Sequence, residues 1–313
     1  MHIATPLSNA VVGRRRLLGS MLGAGAGFAL VGCASAAGQE RAAAPQEGKA
    51  GKPKIAGKKQ DLDAKIMTFA LNLEYMEAEY YTRGAFGRSL REQGTDTGKN
   101  PGEVRGGHQV HFSNKFFRDH AEELAFNEAA HVKFYREKLG NAAVDMPAID
   151  FEGGFTAAAV AAGIIPEGEK FDPFADEVSF FLGGMLFEDV GVTAYHGAAP
   201  LITSKEVLDA AAGILAVEAY HMGMARHLIL HSGPKWTEAA NKISDARDKL
   251  DGMDDLDQPI LMDGKANIVP NDKNGIAFKR TPRQVLNIVY LQRDAMKGGF
   301  YPNGMNGDFA GLV

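Results

Sequence analysis

Two copies of one short pattern constrain this chain more than any other feature. Glu128-Ala129-Ala130-His131 runs on to Arg136, and Glu218-Ala219-Tyr220-His221 runs on at the same offset to Arg226. Each copy follows a second pattern, in which Glu74 precedes Tyr81 by seven residues and Glu188 precedes Tyr195 by seven. All four segments sit in stretches whose apolar residues recur at three- and four-residue intervals, so each reads as part of a long helix. A Glu and a His three apart share one helix face, with Cβ atoms about 5–6 Å apart, and can reach one metal ion. Two such pairs on facing helices, with one glutamate from each remaining helix, place four carboxylates and two imidazoles around a bundle axis, the arrangement of two-metal helical bundles. Burying four carboxylates without cations costs on the order of several kcal/mol for each uncompensated charge, so a metal is what makes such a core tolerable.

The helices that carry these patterns can be bounded from the sequence. The first begins near Asp61, carries Ile66, Phe69, Ala70, Leu73, Glu77 and Tyr80 on a regular spacing, and stops at Gly84. A glycine-rich loop containing Asn100-Pro101-Gly102 leads to a second helix from Ser113 to Leu139-Gly140. Asp172-Pro173 supplies a cap and a first-turn proline for a third, which runs to Ala199, after a linker holding Pro147 and Pro166. Thr203 and Glu206 form a capping-box pattern for the fourth, from Val207 to Leu230. A helix over 235–250, an acidic loop through Asp251, Asp254, Asp255 and Asp257, and a last helix opened by Thr281-Pro282 follow. Beyond Lys297 the chain reads as ordered turns, and no segment reads as a strand, so the expected fold class is all-α.

The first 36 residues read as an address. Arg14-Arg15-Arg16-Leu17-Leu18 precedes an apolar Gly/Ala run to Gly32, a twin-arginine-like export signal with Leu17 where the usual pattern has Phe. Two cleavage sites compete: Leu30-Val31-Gly32-Cys33 resembles a lipobox that would lipidate the chain's single cysteine, and Ala34-Ser35-Ala36 fits ordinary signal peptidase. The expected location is the periplasm or cell envelope, with contact to the membrane only through a lipid on Cys33. Residues 37–60 hold no large apolar side chain except Ile55 and are expected to be a flexible tether. The domain plan is therefore a signal over 1–36, a linker over 37–60, a four-helix bundle over 61–233 and a helical extension over 234–313.

Charge narrows the partners. Arg14, Arg15 and Arg16 are the only charged side chains in the signal, so the remainder carries a formal charge of −8, three below the −5 of the whole chain. An acidic protein is a poor partner for nucleic acid, which needs clustered Lys and Arg. With the only cysteine in the signal, any metal in the folded part must be held by oxygen and nitrogen. Glu77 and Glu79 compete with Glu74 as ligand, but only Glu74 keeps the seven-residue relation to a tyrosine. His108, His111 and His120 read as loop or surface histidines. The Asp251–Asp257 run lacks the central glycine and closing glutamate of a calcium loop and reads as solvated.

The stretches 71–80 (Leu-Asn-Leu-Glu-Tyr-Met-Glu-Ala-Glu-Tyr), 187–195 (Phe-Glu-Asp-Val-Gly-Val-Thr-Ala-Tyr) and 217–221 (Val-Glu-Ala-Tyr-His) resemble the ferritin-like proteins, and within them the desiccation-associated family of bacteria and plants. The likeness spans residues 61 to 310. It implies a ferritin-like bundle with two divalent metal ions, iron or manganese, held by Glu74, Glu128, His131, Glu188, Glu218 and His221. One departure is the long loop from Gly84 to Phe112, which sets the first pair of ligand glutamates 54 positions apart against 30 for the second. Three functions fit: oxidase, peroxidase or ferroxidase chemistry with O2 or H2O2; manganese-catalase-like peroxide dismutation, with Glu218 as a base; or a non-catalytic stress-protection or metal-sequestering role. Tyr81 and Tyr195 fit redox relays, hydrogen-bond partners of the ligands, or simple interior packing. Bundles of this type often dimerise through exposed helix faces, and a homodimer is compatible with the sequence.

Overall fold

The computed structural model describes residues 58–313, so the export signal, the lipobox at Cys33 and the tether up to residue 57 lie outside the described residues. Seven α-helices follow in chain order: α1 (Lys58–Phe86), α2 (Lys115–Leu139), α3 (Phe151–Ala161), α4 (Glu177–Ala198), α5 (Lys205–His231), α6 (Pro234–Asp251) and α7 (Pro282–Val289). α1 thus starts three residues inside the stretch expected to be tether. The only strands among the described residues are two-residue pairs. β1 (Val104–Arg105) lies parallel to β2 (Ile149–Asp150), and β3 (Leu261–Met262) pairs antiparallel with β4 (Lys265–Ala266). The fold is all-α.

α1, α2, α4 and α5 form the bundle, with α1 packed on α2, α4 packed on α5, and α1 against α4. Glu74 of α1 meets Tyr195 of α4 while Tyr81 lies beside Glu188, so α1 and α4 run in opposite directions. One end of the bundle is filled by aromatic rings. Tyr80 stacks on Phe180 at 4.8 Å and meets Phe155, Phe174 and Phe187 within 5.5 Å, and its hydroxyl donates to the Phe180 carbonyl at 2.7 Å. Each such ring taken fully out of water contributes roughly 1.5–3 kcal/mol.

Several helix starts differ from the sequence expectation. Asp172-Pro173 forms a turn: the Asp172 carboxylate accepts from the Phe174 amide and meets His108 Nε2, both at 2.9 Å. The cap of α4 is Asp176, whose side chain accepts from the Val178 and Ser179 amides. At α5 the cap is Ser204, one residue later than the capping-box pattern suggested, because Thr203 is taken by the buried carboxylate of Asp63. α3 lies in the stretch read as a linker. It is capped by Asp150 and alanine-rich, and Gly154 lets the ring of Phe300 approach so closely that an added Cβ would stand 2.5 Å from it.

The extension does not sit loosely on the bundle. Asp251 and Asp257, expected to be solvated, are buried at 4% and 6% exposure, while Met253, Asp254 and Asp255 are exposed. Asp257 pairs with Arg247 and Arg280, and Asp251 pairs with Arg280. Arg247 and Arg226 both reach Asp189 of α4, and Arg280 donates to Thr193 Oγ1 at 2.9 Å. The sequence reading went wrong here because burial of this loop depends on Arg280, 29 residues beyond Asp251 and 23 beyond Asp257, folding back onto it. The C-terminal turns are tied to α1 through the buried Asn72, which donates to the Asn306 carbonyl and accepts from its amide.

Candidate metal centre

The structure brings Glu74, Glu128, His131, Glu188, Glu218 and His221 together in the middle of the bundle, each 8% exposed or less. Their ligand atoms fall into two sets of four. Glu74, Glu128, His131 and Glu218 form one set, and Glu128, Glu188, Glu218 and His221 form the other. Glu128 and Glu218 therefore belong to both. His131 Nδ1 lies 3.0 Å from Glu74, 3.4 Å from Glu128 and 3.5 Å from Glu218. His221 Nδ1 lies 2.9 Å from Glu128 and 3.4 Å from Glu188, and its Nε2 meets the Asn127 amide at 3.1 Å. Helix geometry explains the convergence, because positions three apart on α2 and α5 present Glu and His to the same axial space.

The donors fit a divalent cation. Both oxygens of Glu128, Glu188 and Glu218, and Nδ1 of His221, are buried without a hydrogen-bond partner. Buried carboxylates left this way are strongly disfavoured unless something positive sits among them. Oxygen and imidazole nitrogen are the ligands that iron and manganese accept.

The sequence reading missed how the two halves differ. Glu77 follows Glu74 by three residues and is buried in the same core, whereas the matching position after Glu188 is Gly191. A Cβ on Gly191 would come within 2.4 Å of Glu218 Oε2 and 3.6 Å of Glu77 Oε1, so the glycine makes room for both carboxylates. Glu79 faces away, pairing with Arg83 at 2.8 Å. The repeated arginines also differ. Arg226 is buried on Asp189, while Arg136 binds Tyr75 Oη and the exposed Asp96. His108, His111 and His120 lie outside both ligand sets.

The tyrosines cross between halves. Tyr195 donates to Glu74 Oε1 and meets Tyr135 Oη at 2.8 Å, so a chain of two hydroxyls ends on a candidate ligand. Tyr81 lies beside Glu188 with its hydroxyl buried and unpaired. Beyond Tyr135 and Tyr195, a cavity of about 60 Å³ opens toward the end of the bundle.

Without cations the cluster must hold protons. Burial pushes Glu74 up to about 7 and raises Glu77 and Glu218 well above the usual carboxylate range, neighbouring carboxylates adding to the effect in the latter two. Burial alone would lower the two imidazoles, but the surrounding carboxylates raise His131 to about 11 and His221 to about 10. Glu128 goes the other way: burial opposes ionisation, yet the positive charge of the His131 and His221 rings beside it holds it well below its usual value. A metal binds only the deprotonated donors, so uptake releases protons and weakens as pH falls. The linkage for the metal-free fold has the opposite sense. A carboxyl raised from 4.5 to about 7, as Glu74 is, stabilises the fold fully below 4.5 and loses that contribution as pH rises through 7. Calorimetric titration in buffers of different ionisation enthalpy is expected to show proton release, and the metal-free melting temperature is expected to fall over this window. A melting temperature that climbs across it would contradict the protonated core.

Fold and site together define a helical bundle with a buried carboxylate–histidine core suited to metal. The chain belongs to the ferritin-like family, since the model of the ferritin-like domain matches residues 62–231. It is 31% identical over 241 residues to desiccation-related protein PCC13-62 of Craterostigma plantagineum, covering 72% of this chain and 76% of that protein. It is also 24% identical over 270 residues to ferritin-like catalase Nec2 of Nesocodon mauritianus, covering 80% and 85%.

Proposed function

We propose that this protein holds two divalent metal ions, iron or manganese, and uses them to dismute hydrogen peroxide as an exported protector against oxidative and desiccation stress. The observation that carries this reading is the sharing of Glu128 and Glu218 between two adjacent sets of ligand atoms. Two redox-active ions held side by side supply the paired one-electron changes that converting two H2O2 into O2 and two H2O requires. The donors are sealed from water, which suits resident ions and a small neutral reactant better than a stream of hydrated Fe2+. The similarity to a protein named as a catalase and to one named as desiccation-related supports both halves of the proposal.

Within the site Glu218 is the proton carrier. Its carboxylate belongs to both sets of donor atoms, which places it beside the reacting centre as a proton acceptor. Asn127 orients the His221 ring, and Tyr195 holds Glu74 in place by donating to Oε1. Tyr135 extends that contact by one hydroxyl toward the end of the bundle. The twin-arginine-like segment accounts for delivery, because that route moves folded, loaded proteins.

The test is metal analysis of natively exported protein together with oxygen evolution on adding peroxide. About two ions per chain with O2 release at half the rate of peroxide loss is the expected result. Fe2+ oxidation without O2 release would replace dismutation with ferroxidase chemistry. Stoichiometric metal with neither activity would favour sequestration, and absence of metal would overturn the enzyme reading.

A further inference from the structure

The two ends of the bundle are filled differently although the repeat relates them. Counted from the ligand glutamates, Phe180, Phe181 and Phe117 at the Tyr81 end correspond to Ile66, Met67 and Val207 at the Tyr195 end. At the first end the rings close the core, Tyr81 meeting Phe180 at 5.7 Å and Phe117 meeting Phe181 at 5.6 Å. At the second end smaller aliphatic side chains leave the cavity of about 60 Å³, walled by Ala70, Leu73, Tyr135, Tyr195, Val207 and Ala211. Tyr135 and Ala211 stand seven residues from Glu128 and Glu218, so the space lies roughly 10 Å along the axis from the ligands at ~1.5 Å per residue.

We propose that this cavity is a dioxygen pocket serving the metal centre, an inference that rests on the peroxide and oxygen chemistry proposed above. Its walls are apolar, and the hydroxyls of Tyr135 and Tyr195 are engaged with each other and with Glu74. Lys138 and Glu206 at its rim pair with each other at 2.8 Å, and Arg280 is bound to Asp251 and Asp257. A water molecule needs two to four polar partners and finds few on these walls, so the space favours an apolar guest over water. A dry cavity of about 150 Å³ admits benzene or xenon, and a smaller one still admits a single gas atom or a diatomic molecule. Hydrogen peroxide would forfeit its hydrogen bonds on entering, at roughly 2–7 kcal/mol per polar group, whereas O2 has none to lose. The pocket therefore separates the two oxidants: O2 leaves or arrives through it, and peroxide reaches the ligands from elsewhere. Passage makes and breaks no bond.

Xenon is the probe. Crystals of metal-free and metal-loaded protein under xenon pressure are expected to show one xenon between Ala70, Tyr135, Tyr195 and Ala211, and none at the aromatic end. Ala211→Met and Ala70→Leu each fill the space from a different helix. Both are expected to lose the xenon and to lower the rate of reoxidation of the reduced, loaded protein by O2 roughly tenfold relative to its rate with H2O2. Their melting temperatures identify any variant that fails through misfolding, and the second substitution then decides. An empty cavity under xenon overturns the pocket, and so does a filled cavity with an unchanged ratio of rates. Wild-type protein that binds xenon but reacts with neither oxidant overturns the proposed function and leaves the gas pocket standing.

Discussion

Glu128→Ala is expected to leave the protein without metal at either position, whereas His131→Ala retains one ion per chain. Glu128 contributes a ligand atom to both sets of four, while His131 contributes to one. Removing the glutamate leaves each set with three donors. It also leaves Glu74, Glu188 and Glu218 to balance two divalent ions, so one positive charge stands uncompensated in a core where an unpaired charge costs several kcal/mol, on the order of 3–5. Glu77 is buried close by but belongs to neither set, so it does not replace the lost donor. Plasma emission analysis of protein purified under identical loading gives the stoichiometry. One ion retained by Glu128→Ala would show that the two sets do not share this carboxylate.

The second large effect is on stability. Asp189, Asp251 and Asp257 are buried against Arg226, Arg247 and Arg280, three charges against three, with Arg247 joining Asp189 on α4 to Asp257 on the extension. Arg247→Met keeps the volume of the side chain and removes its charge. The loss is expected to be about 3–5 kcal/mol, because one buried carboxylate is left uncompensated. For a folded part of this size that lowers the melting temperature by roughly 6–20 °C, at about 2–4 °C per kcal/mol. Adding Asp257→Asn removes the surplus negative charge and should recover part of the loss, whereas a packing defect would not be recovered. A single variant melting within about 2 °C of the wild type would show that the network does not carry stability.

The centre of the bundle was legible because the sequence carries its pattern twice. The Glu-x6-Tyr and Glu-x2-His-x4-Arg patterns located the four bundle helices, and the structure gathers the six residues they singled out. The repeat extends one residue further. The residue after each ligand glutamate, Tyr75 or Asp189, is the partner of the arginine at the shared offset, Arg136 or Arg226. Where the halves diverge, as at Glu77 and Gly191, only the packed structure shows that one carboxylate fills the space its counterpart vacates. α3 escaped because Gly153 and Gly154 mimic a loop and its alanines show no polar face; its helicity comes from Asp150 and from packing against Phe300. Asp251 and Asp257 looked solvated because charge is read locally, while their burial depends on cations brought in from α6 and from the segment before α7. The start of α4 was misplaced because two aspartates four apart both suit a cap, and one of them is bound to His108.

The buried network also imposes an order of assembly. All six candidate ligands have been synthesised by His221, and the helices that carry them by His231. Asp189, adjacent to the candidate ligand Glu188, is then compensated by Arg226 alone, while Arg247 and Arg280 are still to come. The residues that complete the clamp thus leave the ribosome after every candidate ligand, and a nascent chain holding all six still lacks the clamp that fixes α4. The segment from Arg247 to Arg280 behaves as a keystone.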